Sequence, residues 1–290
     1  MNRRRFLEAG LATAALGVTP AIGEAGSANA PVSSRAPFRQ SVCRWCYSRM
    51  SVDELSAMAR GIGIASVELL EPEEWAIAHR HGLTCAMGYA TVPEPRTRLT
   101  RGWNRLENHE WLVPAYERGI QAAAAASVPN VICFSGNRGG LSDQQGLENC
   151  ARGLRAIMPA AERHGVTICM ELLNSRVDHA DYQCDRTPWG MALVDRVGSN
   201  RFRLLYDIYH MQIMEGDVIR TIRNAREHIA HFHTAGVPGR HEIDDGQELN
   251  YGAIMRAIAE MGFTGFVAQE FIPTRDPRTS LEEAFRICSV

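Results

Sequence analysis

The stretch FRLLYDIYHMQIMEGD, residues 202–217, carries an apolar, strand-like run into polar residues that open a helix-like one. Asp207 stands at the junction, and His210 follows three residues later. An acid and a histidine at the rim of a buried strand demand a reason. The first step is to ask whether the arrangement recurs.

It does. From about residue 38, short apolar runs alternate with amphipathic stretches. Eight runs read as strands: 39–43, 65–70, 83–88, 130–136, 166–173, 201–207, 228–234 and 265–270. Between them, SVDELSAMARGIG opens with Ser51 and Glu54 in capping-box spacing and closes on glycine. WLVPAYERGIQAAAAASV, GLENCARGLRAIMPAAERHG, TPWGMALVDRVG and YGAIMRAIAEMG show comparable helical periodicity. Three of them end in a glycine just before a strand, where a helix C-cap belongs. Eight strand–helix units without a linker predict an α/β fold, a single-domain (β/α)8 TIM barrel over residues 38–290. A doubly wound open sheet is the competitor. The count of eight and the lack of a glycine-rich nucleotide loop after the first strand disfavour it.

Composition fits this reading. The chain has 290 residues, 45% hydrophobic and 22% charged, ample for one large core. A net charge of −2 with dispersed signs gives no basic footprint for nucleic acid. Beyond the N-terminus, no apolar run approaches the roughly 18 residues of a membrane span. Residues 1–30 are set aside as a twin-arginine-type signal segment. Arg3 and Arg4 form the pair, a small-residue run follows, and SANA ends at Ala30. That reading sends the protein to the periplasm or beyond, against the plain alternative of a basic tail. Pro31 fits poorly after an Ala28-Asn29-Ala30 cleavage site, so cleavage after Ala25 and a retained tether stay open.

Eight cysteines suit neither a disulfide scaffold nor a zinc ribbon. Cys85, Cys133 and Cys169 sit in apolar runs as small hydrophobes. Cys43 and Cys46 alone have CxxC spacing, and in an oxidising compartment a local disulfide between them is one option.

A barrel requires its functional residues at the C-terminal ends of strands. Glu171, Asp207, His233 and Glu270 all fall there, on four successive units, separated by 36, 26 and 37 residues. Buried together, three carboxylates and an imidazole imply a cation, because burying an unpaired charge is costly. The oxygen-rich set suits Mn²⁺ or Mg²⁺, with Co²⁺ or Zn²⁺ as alternatives. Any one strand-end acid taken alone reads more simply as a helix cap or ion-pair partner. His231 is the rival to His233 and is expected to face the other way.

MELLN, YDIYHMQIMEGD, HFHTAGVPGRHEI, ELNY and GFVAQE resemble the hydroxypyruvate isomerase group of the xylose-isomerase-like barrel superfamily, which also holds ketose 3-epimerases. The likeness covers essentially the whole chain after the signal. It implies that Glu171, Asp207, His233 and Glu270 bind a divalent metal and that Glu171 and Glu270 form the acid–base pair. It also implies that His210 contacts substrate. One departure stands out: the isomerases often carry glutamine at the position of His233, and histidine is the epimerase-like choice.

The implied chemistry moves a carbonyl between adjacent carbons through an enediolate, with glutamates transferring the proton and a cation polarising the oxygens. Substrate-binding candidates beyond His210 are Arg240 and His241 after the seventh strand, Glu68 at the end of the second, Trp45 after the first, and Asn174. For Asn174 a turn cap is the plain alternative, and for Arg240 a solvated loop position. FSGNRGG (134–140) is glycine-rich but lacks the lysine and hydroxyl of a P-loop.

The expected activity is a metal-dependent isomerase on a small hydroxy-carbonyl acid or sugar, with hydroxypyruvate to tartronate semialdehyde first. A ketose 3-epimerase is second, and an exported non-catalytic sugar-binding protein third. An endonuclease-like barrel would need more histidine ligands and a basic groove. The oligomeric state stays open, a homo-oligomer among the options. Replacing Arg3, Arg4 and Arg5 with lysine is expected to hold the protein in the cytoplasm. Cell fractionation reads this, and unchanged localisation would overturn the signal reading.

Overall fold

In the computed structural model, residues 37–290 are described; the proposed signal at 1–30 lies outside them. Seven strands are formed among these residues: β1 (Arg39–Cys43), β2 (Ser66–Glu68), β3 (Asn130–Cys133), β4 (Thr167–Glu171), β5 (Phe202–Asp207), β6 (Ile229–Thr234) and β7 (Phe266–Gln269). All pair in parallel, in the order β2-β1-β7-β6-β5-β4-β3. Helices α1 (Val52–Ile62), α2 (Trp75–Arg80), α3 (His109–Ala125), α4 (Asp143–His164) and α5 (Thr187–Val197) come first in the chain. They are followed by α6 (Ile208–Met214), α7 (Val218–Asn224), α8 (Tyr251–Glu260) and α9 (Pro277–Cys288). The elements form the α/β barrel that the sequence predicts, with seven parallel strands among the described residues.

The expected strand 83–88 is the exception. It lies between the two edges of the sheet but touches them only through single bridges. Thr84 pairs with Ser66, and Gly88 pairs with both Leu70 and Val131. The interruption has a local cause. The Ala86 N–H donates to the Ser66 hydroxyl at 2.8 Å, and its carbonyl accepts from the Asn130 side chain at 2.8 Å. Side chains have taken the groups a ladder would use, so the eighth strand becomes a seam. The other seven expected strands are present, shortened by up to three residues at their ends.

The caps behave as the sequence indicated. The Ser51 hydroxyl accepts the Glu54 N–H at 3.2 Å, while Glu54 accepts the Ser51 N–H at 2.7 Å. Gly165 and Gly198 end α4 and α5 with φ of +71° and +75°, a conformation glycine adopts without Cβ strain. All eight cysteines are buried and free, so the Cys43–Cys46 disulfide does not form. Cys43 ends β1 and points inward, 3.8 Å from a histidine nitrogen, rather than toward Cys46. No described helix is long and apolar enough to cross a membrane.

The glycine-rich stretch 134–140 has a packing role. A Cβ on Gly102 would come within 2.3 Å of the Phe134 carbonyl and of Gly136 backbone atoms. The two loops therefore fit only backbone to backbone. Gly102→Ala is expected to cost about 1–3 kcal/mol by overpacking. Urea unfolding measures it, and an unchanged midpoint would contradict the close approach.

Candidate active site

The parallel register delivers the four strand-end residues to one place. Asp207 pairs with His233 across β5 and β6, and His233 pairs with Ala268 across β6 and β7, which brings Glu270 one step past the strand. Glu171 closes the arc at the end of β4. The result is a buried group in which donor atoms of Glu171, Asp207, His233 and Glu270 all lie within 4.8 Å of one another.

Asp207 serves two structures at once. Its Oδ1 accepts the His210 N–H at 3.1 Å and caps α6. The other oxygen, Oδ2, turns to the site and accepts from an Arg240 amine at 3.2 Å. The cap also explains His210, which the first helical turn carries into the cavity wall. Both halves of the motif at 202–217 thus have a physical reason.

His233 is held on both sides. Its Nδ1 lies 2.8 Å from Glu270 Oε2, and its Nε2 lies 3.0 Å from Glu68 Oε1. Glu171 Oε1 is 3.2 Å from the same Nδ1 but out of line for a hydrogen bond, and it has no other partner. The Arg240 guanidinium donates to Asp207 and Glu270, and lies 5.2 Å and 5.0 Å from the ring centres of Trp45 and Tyr209. The Trp45 indole donates to Glu270 Oε1 at 2.7 Å.

These contacts sort the charges. Burial pushes the Asp207 carboxyl up to about 8, more than Arg240 offsets. Burial also raises Glu171. Glu270 is held well below the usual carboxylate range, because His233 and Arg240 outweigh its burial. The His233 imidazole is raised well above its usual value, as Glu270 overcomes the cost of burial. His210 goes the other way: burial, and then Arg240, favour its neutral ring.

A cavity of about 250 Å³ opens over the group. Trp45, Glu171, His210, Arg240 and Glu270 line it, together with Leu69, Tyr89, Leu99, Phe134, Leu173 and His179. Asp207 and His233 lie beneath, both 0% exposed, so the two glutamates alone of the four donors form its floor.

Three sequence expectations change. Glu68 does not line the cavity: it is sealed under it, bonded to His231 and His233. His241 faces the surface, its Nδ1 against the Ile272 carbonyl at 3.0 Å. His231 does not face away from His233. Residues two apart in a strand share a face, and both imidazoles reach the same Glu68 oxygen. Asn174 proves to be a turn cap and a brace. Its Oδ1 accepts the N–H groups of Val177 and Asp178, and its amide nitrogen contacts His210 Nδ1 at 2.6 Å. Sequence reasoning missed Tyr89 and His179. Tyr89 directly follows the expected strand 83–88, the strand-end phase that found the others; His179 lies in a turn with no period to mark it.

The donor set fits a divalent cation. Its donor atoms lie within 4.8 Å of one another, close enough for one cation with metal–oxygen bonds of about 2.1–2.4 Å to bridge, and Glu171 keeps a buried oxygen without a partner. The Cys43 thiol, Glu68 and His233 form a second close group directly below.

Comparison with known proteins agrees with this architecture. The model of the xylose isomerase-like TIM barrel family matches residues 59–288, and the chain belongs to that family. A 2-oxo-tetronate isomerase of Cupriavidus necator is 38% identical over 127 residues, 44% of this chain and 46% of that protein. The hydroxypyruvate isomerase of Escherichia coli is 28% identical over 168 residues, 58% of this chain and 63% of that protein. The chain thus spans about half to two thirds of these relatives, which are isomerases, the enzyme class the sequence indicated. A solved structure described as an AP endonuclease, family 2, from Brucella melitensis superposes with a TM-score of 0.77. It is 23% identical, covers 84% of this chain and 97% of that one, and shows the fold.

Arg240 is the one cation in contact with both Asp207 and Glu270 among the described residues. Arg240→Met is expected to destabilise the chelator-treated protein by about 3 kcal/mol, the order seen when one partner of a buried pair is removed. The penalty should shrink as pH falls, since protonating the stranded carboxylates removes their charge. Denaturation at pH 5 and pH 8 checks this, and an equal loss at both would contradict it.

Proposed function

We propose that the chain is a divalent-metal-dependent isomerase of a small hydroxy-carbonyl acid, with hydroxypyruvate to tartronate semialdehyde as the first reaction to test. One observation carries the reading: of four converging donors, only the two glutamates face the cavity, while Asp207 and His233 are sunk as anchors. The names of the relatives support a short keto acid as substrate. A cation, Mn²⁺ or Mg²⁺ by the oxygen-rich donors, would polarise the substrate oxygens and acidify the C–H between them.

The chain's own groups then have distinct tasks. One glutamate takes a proton from the hydroxyl-bearing carbon, giving an enediolate. Returning a proton to the neighbouring carbon, while the hydroxyl proton passes to the former carbonyl oxygen, completes the shift without loss of atoms. Neutral His210 accepts from Arg240 at its Nε2, 2.6 Å away, and lines the cavity beside the substrate. Arg240, beside Trp45, faces the substrate carboxylate. Leu69, Leu99, Phe134 and Leu173 keep water from the reacting carbons. A ketose 3-epimerase is the second reading, favoured by His233 and by having both glutamates on the cavity floor. Export by the twin-arginine route is proposed with it, on the arginine pair at Arg3 and Arg4.

Glu171→Gln and Glu270→Gln are each expected to lower turnover by about 10²–10⁴, and the double variant by much less than the product. Solvent-deuterium exchange into hydroxypyruvate, and separately into fructose, with Mn²⁺ or Mg²⁺ added, gives the readout. Exchange into the ketose alone would replace the isomerase by the epimerase. No exchange into either by metal-loaded protein would leave a binding protein. Asp207→Asn should weaken metal binding with the fold intact; stoichiometric metal in a folded Asp207→Asn, Glu270→Gln protein would overturn the metal site.

A further inference from the structure

Glu68 is the one fully buried carboxylate near the site that the proposed chemistry does not use. It ends β2, three places from β6 in the sheet, and is 0% exposed. One oxygen, Oε1, receives two imidazoles, His231 Nε2 at 2.8 Å and His233 Nε2 at 3.0 Å, and a weak third contact from the Cys43 thiol at 4.0 Å. An ionised carboxylate can only accept, so both imidazoles must carry a proton on Nε2 to meet it.

For His233 this has a consequence at the other ring nitrogen. Nδ1 is the atom that joins the donor group, 2.8 Å from Glu270 and 3.2 Å from Glu171. A cation needs a lone pair there, so the neutral ring must keep its proton on Nε2. Nothing besides Glu68 can hold it. The other neighbour of Nε2 is the Cys43 sulfur at 3.8 Å, a weak acceptor. His231, also 0% exposed, donates to the same Glu68 oxygen from deeper in the barrel and so fixes the carboxylate in turn.

We propose that Glu68 is a positioning residue that holds His233 in its Nε2–H tautomer and presents Nδ1 to the cation, with His231 bracing Glu68 for that task. The inference rests on the reading of His233 as a metal ligand. It assigns a metal-site role to a residue that the sequence placed on the substrate.

The test compares wild type with Glu68→Gln, which keeps shape and one acceptor oxygen but no charge, and with Glu68→Ala. Mn²⁺ titration by calorimetry should show about tenfold weaker binding for Glu68→Gln and up to about 100-fold for Glu68→Ala, the range for outer partners of metal-bound histidines. Nitrogen-15 NMR of the Mg²⁺-loaded wild type should find the His233 proton on Nε2. If Glu68→Ala does not fold, Glu68→Gln alone decides, because a merely structural role would leave its Mn²⁺ affinity unchanged. Wild-type affinity in a folded Glu68→Gln protein overturns the inference while leaving the metal site standing; a His233 proton on Nδ1 in the loaded wild type overturns the inference and removes His233 from the ligands. Absence of Mn²⁺ binding by the wild type overturns both together.

Discussion

Three carboxylates and an imidazole share a space less than 5 Å across at the end of a barrel, almost closed to water. Such a group repels itself unless positive charge is supplied, and every neighbouring feature can be understood as part of that supply. Arg240 reaches two of the acids from one loop, and His233 is drawn into its charged form by Glu270. The remaining strain shows as Asp207 and Glu171 carboxyls that burial makes reluctant to ionise. Added metal charge would lower both, because an adjacent cation favours the ionised acid. Stability and cation affinity therefore draw on the same four side chains.

The scaffold solves the placement problem with economy of parts. Parallel register carries Asp207 and His233 to the same height, and α6 is capped by the very residue that ends β5. Capping and site-building need opposite faces of one carboxylate, and Asp207 has two oxygens to give. Below it, Glu68 and His231 fill barrel interior that an ordinary core would give to aliphatic side chains. Bonds among themselves offset part of the cost of burying such groups, although Glu68 Oε2 and His231 Nδ1 keep no protein partner.

Much of this was legible in the sequence, and what was not has specific causes. The strand-end rule located Glu171, Asp207, His233 and Glu270, because one chain direction and one period repeat through every unit. It failed for 83–88, where the hydroxyl of Ser66 and the amide of Asn130 replace ladder bonds with contacts that no periodicity encodes. Glu68 follows the same phase as the ligands, yet its depth is set by partners on a strand four places on in the chain, so sequence put it on the substrate. For His231 the error was one of parity, since the two-residue repeat of a strand already placed it beside His233. His241 sits next to Arg240, but backbone geometry at Arg240, with φ of +59°, sends neighbouring side chains apart. His179, carried by a turn, had no periodic signal at all.

The seam at 83–88 bears on how such a pocket can change its clientele. Leu69 and Tyr89, which help wall the cavity, flank it; Leu69 bonds to Met87 and Tyr89 to Leu70 across it. Elsewhere the rim is stitched by continuous ladders that also aim the four donors. At the seam a bulkier or slimmer wall residue disturbs isolated bridges and none of the donor-bearing strands. Chain length of the substrate can therefore be retailored there while the chemistry is inherited intact, which makes this irregular joint the barrel's adjustable side.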